Sequence, residues 1–203
     1  MYAKIKILRK NESESDSGVW FQKKLMFLWS ENSFSASATD CLGPTYCKLE
    51  NSILDCLEVF YTLNIPIFFS EQYPKGLGST IDKVLEKLLS YKAFKFEKTS
   101  FSCFPNSSEP YSAGKILKTK QIILIGIETH ICVLQTAMDL KEKGYEVFII
   151  LEAVGSRKDY DKDIAINRMI NNGIQVITFE MMLFELLRDS NNNHFKTLSS
   201  LIR

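Results

Sequence analysis

The stretch Ile122-Ile-Leu-Ile-Gly-Ile-Glu-Thr-His-Ile-Cys-Val133 sets the tightest limit on what this chain can fold into. Ile122 to Ile125 form a short apolar run rich in β-branched residues. A strand that is apolar at every position has to be covered on both faces, as in a parallel sheet flanked by helices. Directly beyond it Thr129 is placed to cap a helix, and Val133, Thr136, Ala137 and Leu140 form a helical stripe that stops at Gly144. The junction puts Cys132 in the first helical turn. Unpaired N–H groups and the dipole at a helix start stabilise an anion, so a thiol there is inclined to ionise and act as a nucleophile. A small buried core cysteine fits the same local pattern, and both readings stay open at this point.

The remainder of the chain repeats the alternation. Leu25 to Trp29 reads as a buried strand, and Leu49, Ile53, Cys56, Leu57 and Phe60 mark a helix from about 46 to 63, with Cys56 in the core. Ile65 to Ser70 is a strand. The loop Glu71 to Thr80 ends at an N-cap, and Ile81, Val84, Leu85 and Leu88 stripe the helix that follows. Ala93 to Phe96 and Tyr145 to Leu151 are strands, Asp159 to Asn172 is a helix closed by Gly173, and Ile174 to Phe179 is a strand. Phe179, Met182, Leu183, Leu186 and Leu187 stripe another helix, and Phe195 to Ile202 is a short last one. The regions 1–24, 33–45 and 104–118 carry weak patterning, with the polar run Asn11 to Gly18 reading as a solvated turn. Such alternation implies βαβ units, a mostly parallel sheet and right-handed crossovers. Ligands of these sheets bind beyond the carboxyl ends of the strands. Ser30, the loop from Glu71, Lys98 and Cys132 all fall there.

Composition narrows the function classes. A chain of 203 residues can bury a full single-domain core, and 45% hydrophobic with 24% charged residues is ordinary for a globular protein. A formal charge of +1 gives no reason to expect nucleic acid or an anionic membrane. No apolar run approaches a membrane span, and the first ten residues lack the pattern of a secretory signal. Cysteines 41, 47, 56, 103 and 132 are odd in number and contain no C-x-x-C pair, against a disulfide framework or a structural zinc site. A reducing, cytoplasmic location is expected.

Cys132 needs help with its proton. His130 lies two residues away, so it points to a different side of a helix, and His194 lies in the C-terminal tail. A carboxylate together with a lysine could serve instead, one accepting the thiol proton and the other holding the negative charge nearby. Lys98 is the lysine best placed in the strand pattern. Gly76-Leu-Gly78 lacks the spacing of a dinucleotide or phosphate-binding loop and reads as a turn before a helix. Tyr73 and Lys75 in that loop are positioned to line a crevice.

Glu71-Gln-Tyr-Pro-Lys-Gly-Leu-Gly-Ser-Thr80, Lys98-Thr-Ser-Phe-Ser102, Gly126-Ile-Glu-Thr-His-Ile-Cys132 and the segment from Glu146 to Ile202 resemble the isochorismatase-like cysteine hydrolases, especially the eukaryotic isochorismatase domain-containing proteins. The resemblance covers residues 25–203 and leaves 1–24 as a divergent extension packing on or trailing from the domain. It implies an α/β, three-layer α/β/α, Rossmann-like fold with a mostly parallel six-stranded sheet. It also implies hydrolysis of an amide or vinyl-ether bond in a small molecule through an Asp, Lys and Cys triad. By the same resemblance Cys132 is the nucleophile, Lys98 the triad lysine, Ile127–Glu128 a cis peptide, and the Glu128 and Cys132 N–H groups an oxyanion cradle. Glu71, Tyr73, Phe101 and Thr129 are expected at the substrate. No cofactor and no metal are implied, since the metal-binding Asp and His of the nicotinamidase branch have no counterpart.

The departure lies in the first strand. Family members end it with Asp, where this chain has Phe27-Leu-Trp-Ser30 followed by Glu31-Asn-Ser-Phe34. Alignment on Phe27-Leu28 puts Ser30 at the Asp position, and alignment on Phe34 puts Trp29 there. Neither accepts a proton as a carboxylate does. Three readings follow: a small-molecule cysteine hydrolase, working if Glu31 or Asp40 replaces the missing Asp and impaired if Ser30 or Trp29 stands in its place, an inactive binding or interaction protein on the same fold, and a redox-responsive thiol protein using Cys132. The expected partner is a small-molecule ligand or substrate, with homo-oligomerisation open and neither nucleic acid nor membrane expected.

Overall fold

The computed structural model describes residues 25–30, 44–103 and 120–202. Expectations for 1–24, Glu31, residues 33–43 (Asp40 among them) and 104–118 lie outside the described residues, whereas Pro44 and Thr45, expected in the loop, are already helical. Six strands form one sheet: β1 (Leu25–Ser30), β2 (Ile67–Gln72), β3 (Phe94–Lys98), β4 (Gln121–Ile127), β5 (Glu146–Gly155) and β6 (Gln175–Ile177). Their order is β3-β2-β1-β4-β5-β6, and every neighbouring pair is parallel. The helices are α1 (Pro44–Thr62), α2 (Pro74–Leu77), α3 (Asp82–Ser90), α4 (Leu134–Glu142), α5 (Asp159–Asn171), α6 (Phe179–Leu187) and α7 (Phe195–Ser199).

Strand alternation divides the buried side chains between two cores. Ile67, Phe69, Ile123, Ile125, Phe148 and Ile150 meet α1, α3, α6 and α7 on one face. Phe68, Phe96, Ile122, Leu124, Val147 and Ile149 meet Cys132, α4 and α5 on the other. This is why β2 and β4 read as continuous apolar runs: each face has its own helical cover. Cys56 is fully buried among the first group, and burial, with Asp55 and Glu152 adding to it, raises its thiol pKa well above the ordinary value. Gly144 ends the helix after Cys132 with φ 85, the left-handed turn that a residue without Cβ takes at least cost.

Several elements differ from the sequence pattern: β2 continues past Ser70 to Gln72, β3 continues past Phe96 to Lys98, and α2 lies within the stretch expected to be a loop. β5 runs to Gly155 rather than ending near Leu151, because it bulges: Leu124 pairs with Ile149, yet Gly126 pairs with Val154. Lys162 on α5 donates to the carbonyls of Leu151 (3.0 Å), within the irregular stretch, and Val154 (2.7 Å), where pairing resumes, and so gives these backbone oxygens a charged partner. Burial holds the Lys162 pKa below its usual value despite Asp159, Asp163 and Glu152. The helix after β4 starts as a π-helical turn, Thr129–Val133. Thr129 does not cap it, since its hydroxyl donates to the Gly155 carbonyl at 2.8 Å. Thr80 likewise leaves α3 without a side-chain cap and turns back to Glu71.

Candidate active site

The order of the strands locates the site. Chain progression runs outward in one direction through β1, β2 and β3, and in the other through β4, β5 and β6. Between β1 and β4 the direction reverses, which opens a crevice beyond their carboxyl ends. Ser30 ends β1, and Ile127 ends β4. The next peptide, Ile127–Glu128, is cis, as the motif implied. Cys132 follows within the π turn, fully buried on the α4/α5 face.

Lys98 arrives at the same edge from β3. Its Nζ donates to Gln72 Oε1 (2.5 Å) and to the carbonyls of Ser100 (2.9 Å) and Phe101 (2.9 Å). Gln72 and Lys98 are register partners at the ends of β2 and β3. Cys103 closes the loop from Lys98: its N–H donates to Thr136 Oγ1 at 2.8 Å, and its Sγ lies 3.1 Å from Ser70 Oγ. Thr136 is one helical turn beyond Cys132, so this loop is pinned beside the helix that follows Cys132. Burial raises the Cys103 thiol pKa, while Lys98, Ser70 and Thr136 act in the opposite sense. Sequence reasoning singled out neither Gln72 nor Cys103, and only their strand and loop positions next to Lys98 could have signalled them.

The other expected contacts have particular places. Tyr73 sits in a left-handed conformation (φ 40), its N–H bonded to the Lys98 carbonyl at 2.8 Å, with its ring half exposed. Phe101 offers its carbonyl to Lys98 and leaves its ring exposed. Glu71 is elsewhere. It is buried on the α1/α3 side, where Oε1 accepts from the Thr80 N–H (2.9 Å) and hydroxyl (2.8 Å), and Oε2 pairs with Lys95 at 2.7 Å. Burial pushes the Glu71 pKa upward, but Lys95 and Thr80 outweigh it and leave the carboxyl below its ordinary value. Thr129 is fully buried with its hydroxyl spent on Gly155. Both residues were expected at the substrate, yet alternation on β2 and the β5 carbonyl direct their polar groups into the framework.

The Glu128 carboxylate is engaged by Arg157 and His130. Its Oε2 accepts from the Arg157 N–H (2.9 Å), its Oε1 lies 3.4 Å from Arg157 Nε, and His130 Nδ1 stands 3.6 Å from Oε2. His130 Nδ1 also lies 3.0 Å from Ser156 Oγ. The imidazole therefore faces the start of α5, in keeping with its poor placement as a base for Cys132. Among the described residues no group of three or more His, Cys, Asp or Glu could hold a metal ion.

The end of β1 carries the departure. Trp29 stands in register with Ser70 and Gly126, and Ser30 with Glu71. The row of Ser70 leads to Cys103 and the α4/α5 face, whereas the row of Glu71 leads to the α1/α3 face.

A family model described as the isochorismatase domain matches residues 37–181. The chain belongs to the isochorismatase family. A relative from Dictyostelium discoideum, isochorismatase family protein 1B, is 39% identical over 143 residues, covering 70% of this chain and 69% of that one. A Phytophthora sojae relative, secreted isochorismatase effector Isc1, is 36% identical over 161 residues, covering 79% and 75%. Among solved structures, the MAR1 ribonuclease of Caenorhabditis elegans superposes with TM-score 0.77 at 30% identity, covering 89% of each chain. The isochorismatase-family match spans the elements from α1 to the first turn of α6 and leaves Trp29 and Ser30 outside it.

Proposed function

We propose that this isochorismatase-family chain is a thiol-dependent hydrolase of a small-molecule amide or ether, slowed by the loss of the acidic residue at the end of β1. One observation carries the reading: Cys132 lies immediately beyond β4 at the reversal of strand order, and Lys98 reaches the same edge from β3. In the amide case, the Cys132 sulfur adds to the carbonyl carbon and the π-bond electrons move onto oxygen. The N–H groups of Glu128 and Cys132 are the donors for that oxyanion. Collapse expels the amine with a proton, and water then cleaves the thioester to release the acid and restore the thiol. The Lys98 ammonium favours the thiolate by charge. What the chain lacks is a carboxylate at Trp29 or Ser30 to carry the thiol proton to the leaving group. Loss of a general base costs about 10²–10⁴-fold in rate.

A second reading, a binding protein that has lost turnover, draws on the same missing carboxylate. The two separate on a panel of small amides and esters scored for ammonia or acid release. Slow release that disappears in Cys132→Ser supports the hydrolase, whereas silence with saturable binding of a panel member supports the binder. The Caenorhabditis neighbour is named a ribonuclease. A formal charge of +1 offers little to a polyphosphate chain, so RNA is not proposed as a substrate here. Cysteine usage favours a reducing cytoplasmic setting for this chain, although the Phytophthora relative is by name secreted. No helix among the described residues is long and apolar enough to cross a membrane. Self-association of the chain remains part of the proposal.

A further inference from the structure

We infer that Gln72 is the positioning residue of the Lys98 ammonium, fixing where its charge acts on the Cys132 thiol. The inference rests on the hydrolase-site reading above and adds to it a residue that the Asp, Lys and Cys pattern does not contain. Gln72 is the last residue of β2 and is only 6% exposed. Pairing in a parallel ladder sets it directly beside Lys98 and on the same face.

Both ends of its amide are engaged. Oε1 accepts from Lys98 Nζ at 2.5 Å, and Nε2 donates to the Thr99 carbonyl at 2.7 Å. A flipped amide would set its NH2 against the ammonium and its oxygen against a carbonyl, so the orientation is determined by its partners. The backbone beneath is held as well, by the Tyr73 N–H on the Lys98 carbonyl at 2.8 Å. Gln72, Ser100 and Phe101 together give the ammonium three neutral oxygen acceptors.

Neutrality has a consequence for the thiol. A carboxylate in place of the Gln72 amide would also accept from Lys98, but it would cancel the field that the ammonium exerts on its neighbours. The amide holds the charge in position without adding a negative charge of its own. An ammonium released from this anchor has a long flexible stem and spends less time near the sulfur.

The test is a thiolate titration by ultraviolet absorbance on the full chain, with the Cys132→Ser spectrum subtracted so that only Cys132 is read. Lys98→Met should raise the Cys132 midpoint by roughly 1–3 pH units. Gln72→Met should raise it by at least about half a unit while the thermal midpoint moves little, and Gln72→Glu should also raise it, through charge cancellation. Gln72→Glu is nearly isosteric and gives a second reading should Gln72→Met fold poorly. If Lys98→Met moves the midpoint and both Gln72 variants leave it at the wild-type value, Gln72 only anchors the loop and the inference is wrong. If Lys98→Met itself leaves the midpoint in place, the pairing of Lys98 with Cys132 falls, and this inference falls with it.

Discussion

Glu71 offers a sharp test of where the framework ends and the ligand site begins. Removing its carboxylate by Glu71→Ala takes away two hydrogen bonds from Thr80, at 2.9 and 2.8 Å, and the 2.7 Å pair with Lys95. A hydrogen bond to a charged group contributes about 1.5–3 kcal/mol, and the Thr80 N–H is left buried without that acceptor. The Lys95 side chain is 41% exposed, so the ion pair adds less, about 0.2–1 kcal/mol. Allowing for water entering the gap, the loss should be about 3 kcal/mol. For a chain of this size that is a fall of roughly 6–12 °C in Tm. Glu71→Gln keeps an acceptor for Thr80 and should lose only about 1 kcal/mol.

The sign of the pH dependence follows from the direction of the shift. The folded Glu71 carboxyl lies below its ordinary value because Lys95 and Thr80 overcome the opposing effect of burial. Its contribution is therefore complete above the unfolded pKa of about 4.3 and is lost as the pH falls through the lower folded value. Thermal melts of wild type, Glu71→Ala and Glu71→Gln from neutral to acid pH read both quantities. A Glu71→Ala Tm within about 2 °C of wild type, accompanied by weakened ligand binding, would refute the brace and return Glu71 to the crevice.

Further expectations concern neighbouring contacts. Glu58 is held below the usual carboxylate range, chiefly by hydrogen bonds from Lys87 and Tyr91. Glu58→Gln should cost at most about 1 kcal/mol at neutral pH and flatten the acid limb of stability, read by urea melts at two pH values. Thr129→Val removes the 2.8 Å bond to the Gly155 carbonyl and should cost about 1–3 kcal/mol in the same melts; an unchanged stability would contradict its structural placement. A Cβ on Gly76 would lie 2.2 Å from Cε1 of Tyr73. Gly76→Ala should therefore displace the Tyr73 ring from its place against Gly76 while stability changes by less than about 1 kcal/mol, and a change in ligand affinity in this variant would support the expectation that Tyr73 faces the substrate.

Much of this arrangement was legible from residue order alone. Ile122 to Ile125 announced a strand covered on both faces, the alternation with helices announced a parallel sheet, and the motifs placed Lys98 and Cys132 at one edge. Glu71, by contrast, was expected to face the ligand because it opens the loop after β2. It belongs to the strand itself, and one step of alternation sends it to the opposite core from Gln72. The hydrophobic pattern ends the strand at Ser70, two residues short of Gln72, and so hides that step. Thr129 and Thr80 read as caps, since a hydroxyl before a helical stripe usually accepts from the first N–H groups; here each hydroxyl instead donates to an oxygen elsewhere in the fold, Gly155 and Glu71 respectively. The β5 bulge was hidden because its extra residues break the period that defines a strand. Gln72 went unremarked because its significance is its neighbour across the ladder, which is distant in sequence.

The most direct measurement is covalent trapping. The chain is mixed with an activated small-molecule ester, quenched in acid at intervals and mapped by peptide mass spectrometry. An acyl group on Cys132 that forms readily, is released slowly and is absent in Cys132→Ser is the expected result: a nucleophile with its ammonium and amide donors but without an efficient base. An unmodified Cys132, or acylation confined to another residue such as Cys103, would contradict the account.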